Sequence, residues 1–190
     1  MINYLDDLYA VKDILLDNRV ILSPTDTVWG LGCNSFSLEA IQKIRDIKQR
    51  DDGKPFILLV DSIQQLKLYV ESIHPRIETL LHYHERPLSV IYKASASLPS
   101  HLSTDEGTVA IRVTKEPILK ELIQMLGKPL VSTSANIQSM ETPQNYEDID
   151  ARVLEQVDYV FKTGRKVKNK QIASMLIAFD DEGELIFLRK

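Results

Sequence analysis

Helical and strand-like patterns of hydrophobic residues alternate along most of the chain. Residues 4–18 show apolar side chains every three or four positions, with acidic and basic residues between them, which predicts a first helix. The same spacing predicts further helices at 37–50, from 62 onward, and at 75–84, 117–125 and 147–155. Ser37 and Ser62 are typical helix N-caps, and Pro117 suits a first helical turn.

Short apolar runs between these segments predict the strands. They lie at residues 20–22, 56–60, 88–92, 108–113, 130–132 and 159–161, followed by a hairpin of residues 175–179 and 184–188. The run at 56–60 is apolar at every position, which is typical of a strand buried on both faces. The alternation followed by a strand-rich end predicts an α/β protein with a mixed sheet. No repeat or linker interrupts it, so we expect one domain over 1–190.

Composition narrows the class of protein. The net charge of −4 argues against a surface devoted to nucleic acid, which is usually basic. Cys33 is the only cysteine in the sequence, which excludes an internal disulfide and a zinc site built from several cysteines. The first residues lack the basic start and apolar run of a signal peptide, and no stretch is as apolar as a membrane helix. We therefore expect a cytoplasmic protein without membrane contact.

Three polar loops follow predicted strands, at residues 24–27, 48–54 and 132–136. In open α/β sheets, ligands gather at loops beyond the carboxyl ends of strands. Hydroxyl and amide groups of this kind bind phosphates, riboses and amino-acid head groups, although in any single loop they more often form turns and caps. The first loop is predicted to extend over residues 25–35, with Gly30 and Gly32 as tight-turn glycines.

The familiar glycine-rich phosphate loops are missing. Gly30 and Gly32 resemble the start of a dinucleotide fingerprint, but Ser35 stands where the third glycine belongs. Gly127 and Lys128 are followed by a proline, so the sequence contains no Walker A motif. If ATP binds, residues outside such a loop must hold its phosphates.

Four cations at the end of the second predicted helix are candidates for binding the phosphates: Arg45, Lys48, Arg50 and Lys54. Cations at a helix C-terminus usually just face solvent, and the interleaved aspartates favour that interpretation. Lys48 and Arg50 diverge on a regular helix, since they are two residues apart. They can approach one ligand only if the helix has already ended, and such an arrangement would suit a polyphosphate.

Taken together and in order, five motifs resemble the YrdC-like family, the threonylcarbamoyl-adenylate synthases. They are Pro24-Thr25-Asp26-Thr27-Val28-Trp29-Gly30-Leu31-Gly32-Cys33, Lys48-Gln49-Arg50, Lys54-Pro55-Phe56, Thr108-Val109-Ala110-Ile111-Arg112-Val113 and Ser132-Thr133-Ser134-Ala135-Asn136. The resemblance extends from about residue 10 to the end of the chain. The combination is specific, whereas each motif alone is weak.

The resemblance implies a twisted, open mixed sheet with flanking helices and a concave, locally positive cavity. Such enzymes convert L-threonine, bicarbonate and ATP with Mg²⁺ into threonylcarbamoyl-AMP and pyrophosphate. Separate transfer proteins then use that product to modify an adenosine of certain tRNAs, so contact with tRNA is possible. The length of the chain is similar to that of the single-domain bacterial members.

The resemblance also implies roles for individual residues. Lys48, Arg50 and Lys54 would face the ATP phosphates, and Lys48 and Arg50 would serve catalysis by neutralising charge. The remaining ATP contacts would be Thr108, Ser134, Asn136 and Arg189. Threonine would be held by Thr27, Arg112, Ser134 and Ser174, with Arg112 the partner of its carboxylate.

Some positions depart from the family pattern. Trp29 replaces a usual tyrosine, Met175 a threonine, and 85–87 and 138–139 differ from the usual sequences. These changes affect substrate preference and activity more than the fold. Two alternatives therefore remain: a YciO-like paralogue that keeps the nucleotide pocket but has different or weaker activity, and a non-catalytic RNA-binding protein.

Overall fold

The strands predicted from the sequence join into one mixed sheet with helices packed against it. The computed structural model describes residues 4–50, 55–167, 173–179 and 184–189. Lys54, one of the expected phosphate contacts, lies outside these residues. No helix within them is long and apolar enough to cross a membrane.

Most helices begin and end close to the predicted positions, although the first starts at Leu8 rather than at residue 4. They are α1 (Leu8–Leu16), α2 (Leu38–Lys48), α3 (Ile63–Tyr69), α4 (Pro75–Tyr83), α5 (Pro117–Leu126) and α6 (Ala151–Leu154), with short 3₁₀ helices at Ser100–Leu102 and Tyr146–Asp148. The expected caps explain several starts, because the hydroxyls of Ser37 and Ser62 accept backbone N–H bonds from Ala40 and Gln65.

The strands are β1 (Ile21–Ser23), β2 (Gly30–Asn34), β3 (Ile57–Val60), β4 (Leu88–Lys93), β5 (Thr108–Val113), β6 (Leu130–Ser134), β7 (Tyr159–Val160), β8 (Met175–Phe179) and β9 (Leu185–Arg189). Their order across the sheet is β7-β1-β2-β6-β3-β5-β4-β8-β9. The pairs β1/β7, β3/β5 and β4/β8 are parallel and the other neighbours are antiparallel, so the predicted mixed sheet is confirmed.

One predicted loop is wrong in part, because residues 30–34 form strand β2. This strand pairs antiparallel with β1 on one side and with β6 on the other. Its glycines allow close approach: a Cβ on Gly30 would lie 3.1 Å from the Thr133 carbonyl oxygen, and one on Gly32 3.3 Å from that of Val131. These glycines suggested a turn from the sequence, but in the structure they allow the neighbouring strands to pair closely.

A second difference concerns the predicted helix at 147–155. The chain forms a 3₁₀ turn, becomes extended at Ile149, and then starts α6 with Asp150 as N-cap. Asp150 accepts a hydrogen bond from the Arg152 N–H at 2.9 Å, and this cap starts a new helix where a continuous one was expected.

The core lies between the sheet and the helices. α5 contributes the apolar stripe Ile118, Leu119, Leu122, Ile123 and Leu126 and packs against α1 and β3. Burial of each such side chain contributes roughly 1.5–3 kcal/mol to folding. Cys33 on β2 is fully buried, and burial raises the pKa of its thiol, so it is a core side chain with little nucleophilic character.

Candidate functional site

A cavity of about 370 Å³ brings residues from several of the five sequence motifs together with other strand residues. Of the predicted site residues, the cavity is lined by Thr27, Arg50, Arg112, Ser134, Ser174 and Arg189. Strand residues such as Gly30, Ala110 and Leu176 form its floor. The site thus lies on the sheet face, and the loops beyond the strand ends form only part of it.

Arg112, near the end of β5, is the best-defined charged group of the cavity. Its side chain is buried, with 4% of the residue exposed. One guanidinium nitrogen donates to the Thr27 hydroxyl at 3.3 Å, and the other terminal nitrogen lies 3.3 Å from Asp26 Oδ1. Burial lowers the pKa of Arg112, with Arg189 acting in the same direction and Asp26 opposing it. An arginine remains charged under these conditions.

The guanidinium still has donor capacity. Within the described part of the chain, Arg112 Nε is buried and has no hydrogen-bond partner. The contact with Asp26 is an ion pair rather than a directed hydrogen bond, since Asp26 Oδ1 also lacks a hydrogen-bond partner there. The carboxylate of a ligand in the cavity would supply acceptors for the unused N–H groups.

Asp26 was not among the predicted site residues, although the 24–27 loop was. Its Oδ2 accepts the backbone N–H of Lys115 at 3.0 Å, while Oδ1 faces Arg112. The carboxylate therefore joins the 24–27 loop to the segment after β5 and partly neutralises the charge of Arg112. The sequence signal was an acidic residue between two threonines, in a loop already singled out.

The hydroxyls of the same loop are ordered by one another. Thr25 Oγ1 donates to the Val28 carbonyl at 2.7 Å and lies 2.9 Å from Thr27 Oγ1. The backbone N–H of Thr27 donates to Thr25 Oγ1 at 3.0 Å. This Thr-Asp-Thr arrangement holds the Thr27 hydroxyl against Arg112.

Lys48 takes a different position from the one expected. Its ammonium group is buried beneath the 134–138 loop and donates to the carbonyl oxygens of Ser134 at 2.5 Å and Asn136 at 2.6 Å. Asn136 Oδ1 is a third acceptor at 3.3 Å, and the Lys48 carbonyl accepts the Gln138 N–H at 2.7 Å. Burial, and secondarily the charge of Arg50, lower the pKa of Lys48 to about 8.

These contacts make Lys48 a support for the loop that carries Ser134. Asn136 belongs to the same network, because its Oδ1 accepts from the Ser134 hydroxyl at 2.5 Å and its Nδ2 donates to the Met140 carbonyl at 2.7 Å. Neither Lys48 nor Asn136 is among the residues that line the cavity, whereas Ser134 is.

Arg50 does reach the cavity, because α2 ends at Lys48. Gln49 adopts a left-handed conformation, with φ 50° and ψ 47°, and turns the chain. The Arg50 guanidinium lies 4.8 Å from the centre of the Phe56 ring, and one nitrogen donates to the Pro55 carbonyl at 2.9 Å. The helix has therefore ended before Arg50, but the chain turns there and is not extended, since the Arg50 N–H donates to the Arg45 carbonyl at 3.0 Å. The side chains of Lys48 and Arg50 point to different places.

Ser174 and Arg189 approach the cavity from the C-terminal hairpin. Arg189 donates to the Ser174 carbonyl at 2.9 Å and to its hydroxyl at 3.0 Å. The Ser174 hydroxyl also lies 2.9 Å from the hydroxyl of Ser89, a buried residue of β4. Ser89 was not among the site residues predicted from the sequence. Ser89 is the register partner of Arg112, so this chain of contacts runs along the cavity wall.

Thr108 is not among the residues that line the cavity. It shares a strand face with Ala110 and Arg112, since alternate residues of β5 point the same way. Its hydroxyl lies 2.8 Å from that of Thr104, at the far end of the strand from Arg112.

Among the residues that the structure describes, none of the positions that depart from the family pattern lines this cavity. Trp29 is fully buried and packs against Tyr146 with ring centroids 5.2 Å apart, so here the indole serves as a core side chain. Ser139 has a φ of 73°, and together with the Gln138 contact to Lys48 it defines the turn after Asn136.

Comparison with known proteins finds relatives that match most of the chain. The family model described as telomere recombination (Sua5, YciO and YrdC) matches residues 13–190. The threonylcarbamoyl-AMP synthase of Escherichia coli O1:K1 is 33% identical over 150 residues, which cover 77% of this chain and 79% of that protein. The synthase of Shigella sonnei (strain Ss046) matches with the same identity and coverage.

Solved structures show the same fold. E. coli YciO superposes with a TM-score of 0.81 at 26% identity, over 96% of this chain and 88% of that one. P. abyssi Sua5, solved in complex with L-threonine, gives 0.83 at 24% identity over 96% of this chain. This chain spans about half of the P. abyssi protein, at 53%. From its motifs, its fold and these matches, the chain belongs to the Sua5/YciO/YrdC family.

Proposed function

We propose that this protein is an L-threonylcarbamoyladenylate synthase, which forms threonylcarbamoyl-AMP and pyrophosphate from L-threonine, bicarbonate and ATP. Support comes from relatives of that name at 33% identity and from the threonine complex of P. abyssi Sua5. The observation that carries the proposal is the Arg112 guanidinium, buried in the cavity against Thr27 with donors still unused.

The cavity suits two anionic reactants. Arg112 and the Thr27 hydroxyl would bind the carboxylate and hydroxyl of threonine. Arg50, at another part of the cavity lining, would neutralise the ATP phosphates with the help of the Ser134 hydroxyl. Thr108, Arg189 and the undescribed Lys54 remain proposed ATP contacts, and Ser174 a proposed threonine contact.

The chemistry requires positioning more than an activated protein nucleophile. Threonine nitrogen attacks the bicarbonate carbon, water leaves, and the product is N-carboxy-threonine. Its new carboxylate oxygen then attacks the α-phosphorus of ATP, and the bond to the bridging oxygen breaks to release pyrophosphate. Since the attacking oxygen is already anionic, the main task of Arg50 is to reduce charge repulsion with the phosphates.

We also propose that Mg²⁺ enters with ATP, where it would reduce the negative charge of the triphosphate. Mg²⁺ prefers oxygen ligands and usually keeps several waters. In the described part of the chain, the cavity lining offers hydroxyls such as those of Ser132 and Ser134 but no carboxylate. Phosphate oxygens and water would therefore supply most of the ligands, with these hydroxyls as the available protein donors.

The product would serve separate transfer proteins that modify tRNA. Threonylcarbamoyl-AMP is a mixed anhydride, so a partner with an acceptor nucleophile must take it over before water hydrolyses it. A cytoplasmic location follows from this proposed role, since its substrates and tRNA meet there.

A YciO-like paralogue is the second candidate, because E. coli YciO matches nearly the full length of both chains. Pyrophosphate release by the purified protein with ATP, Mg²⁺ and bicarbonate separates the two. The synthase requires that release depend on L-threonine and be lost in Arg50→Ala, while the exposed-residue control Lys93→Ala retains it. Nucleotide binding without threonine-dependent release would instead support the paralogue.

A further inference from the structure

A second cavity, of about 320 Å³, lies where β4 begins and β5 ends. The C-terminal end of α4 and the first turns of α5 form its sides. Its lining consists of Leu80, Leu81, His84, Arg86, Leu88, Val113, Thr114, Lys115 and Lys120. None of these residues lines the cavity proposed to bind ATP and threonine.

The cations of this second cavity form no ion pair within the described part of the chain. Arg86, Lys115 and Lys120 are all exposed at its rim. Among the described residues none of the three forms an ion pair, and no carboxylate contributes to the lining. Mutual repulsion of the three charges would be relieved by a bound anion.

The acids next to these cations in sequence, Glu85, Glu116 and Glu121, are not among the residues that line the cavity. Glu85 is exposed and precedes Arg86 in the chain, but it is absent from the lining. Glu116 is turned inward at the start of α5, and burial raises the pKa of its carboxyl group. Its backbone N–H donates to the Thr114 hydroxyl at 3.2 Å, which fixes the wall next to Lys115.

The cavity wall is held by hydrogen bonds within the protein. The backbone N–H of Lys115 is held by Asp26 Oδ2 at 3.0 Å, and that of Thr114 donates to the Val60 carbonyl at 3.0 Å. The Lys115 ammonium group donates to the carbonyl of His84, which is the C-cap of α4. These bonds fix the β5–α5 connection against α4, so little ordering cost remains for a ligand.

The floor of the cavity is apolar. Leu80, Leu81, Leu88 and Val113 lie below the cationic rim. The His84 ring forms part of the wall, and its buried Nε2 has no hydrogen-bond partner among the described residues. Rotation of this ring would supply one further polar contact. The combination suits a ligand with a compact anionic group and an apolar body.

We propose that this second cavity binds a small organic phosphate, with its phosphate group between Arg86, Lys115 and Lys120 and its apolar part over Leu88 and Val113. Phosphate is favoured because a dianion with several acceptor oxygens can contact three separate cations at once. The site is separate from the proposed reaction cavity and does not depend on its chemistry.

Phenyl phosphate is a suitable probe, compared with inorganic phosphate and with phenol. Titration calorimetry at low salt measures affinity, and methyl NMR shifts of Leu80, Leu88 and Val113 locate the site. We expect phenyl phosphate to bind more tightly than either fragment and to shift these methyl signals. The variant Arg86→Ala/Lys120→Ala should weaken binding by about tenfold or more, the effect of losing charge-assisted contacts.

Two controls isolate the cavity. Lys93→Ala removes an exposed cation from the other end of β4 and should leave affinity unchanged. Arg50→Ala removes a cation from the first cavity and should also leave the methyl shifts intact. The proposal is wrong if the double variant binds as the parent does, if Arg50→Ala abolishes the shifts, or if only RNA binds to these cations.

Discussion

At the scale of single residues, the proposed threonine contact depends on Arg112. Its planar fork can make two parallel hydrogen bonds to a carboxylate, while Asp26 and Thr27 hold it in place. The sequence motif identified Arg112 and Thr27, but not the carboxylate of Asp26 behind them. That contact could not be predicted, because it joins residues 86 positions apart in the chain.

Arg112→Lys tests this role while keeping the buried positive charge. Lysine cannot reproduce the fork, so we expect the KM for L-threonine to rise about tenfold or more, with ATP affinity unchanged. Steady-state kinetics with varied threonine measure the change. Arg152→Lys, at an exposed arginine paired with Asp150, is the matched control and should change neither constant. An unaltered threonine KM in Arg112→Lys would contradict the assignment.

Lys48 illustrates what a motif cannot reveal at this scale. Its position beside Arg50 suggested a shared phosphate ligand, yet its donors are used by carbonyl groups of the opposite loop. Side-chain direction is set by the end of α2 and by burial, neither of which is visible in the three-residue pattern. We therefore interpret Lys48 as a positioning residue for Ser134.

The pH dependence of ATP binding tests that interpretation. The pKa of Lys48 is lowered to about 8, so the ammonium group that holds the loop is present below this pH and is lost as pH rises through it. We expect ATP affinity to fall by several-fold, up to about tenfold, between pH 7 and 9.5. In Lys48→Arg the guanidinium does not titrate in this range. The ATP affinity of this variant at pH 7 should be lower than that of the parent protein, but it should not fall further up to pH 9.5. An identical fall with pH in the variant and the parent would contradict the role of Lys48.

At the scale of elements, the alternating pattern predicted most helices and strands, because apolar periodicity reports which face is buried. It failed at β2, where small residues pair closely with β1 and β6, and at 147–155, where an aspartate cap starts a new helix. In both places local residue types suggested one structure and contacts with distant parts of the chain decided another.

The end of α2 provides an element-scale prediction. Gln49 has a left-handed backbone, which costs a residue with a Cβ about 1 kcal/mol relative to glycine. Gln49→Gly should therefore raise the free energy of unfolding by about 0.5–1 kcal/mol, as measured by urea denaturation. Gln42→Gly, in the middle of the same helix, should lower it by about 1 kcal/mol. Equal destabilisation by both would show that the turn at Gln49 is not formed.

At the scale of the whole molecule, the fold class and the list of motifs were predictable, and the strand order was not. Strand β6 lies between β2 and β3, and β8 and β9 form the edge of the sheet opposite β7. These long-range pairings place Ser134, Arg112 and Ser174 around one cavity, although they are far apart in sequence. Only the family resemblance indicated that these residues lie around one cavity. The periodicity of apolar residues does not show which strands pair with one another.

The central claim is that this one cavity joins threonine, bicarbonate and ATP. It is tested most directly by mass spectrometry of the products formed from ATP, Mg²⁺, L-threonine and ¹³C-bicarbonate. The account predicts a threonylcarbamoyl-adenylate that carries the label, appears together with pyrophosphate, and is absent without threonine. If the parent protein binds ATP but forms no labelled adenylate, the account is contradicted.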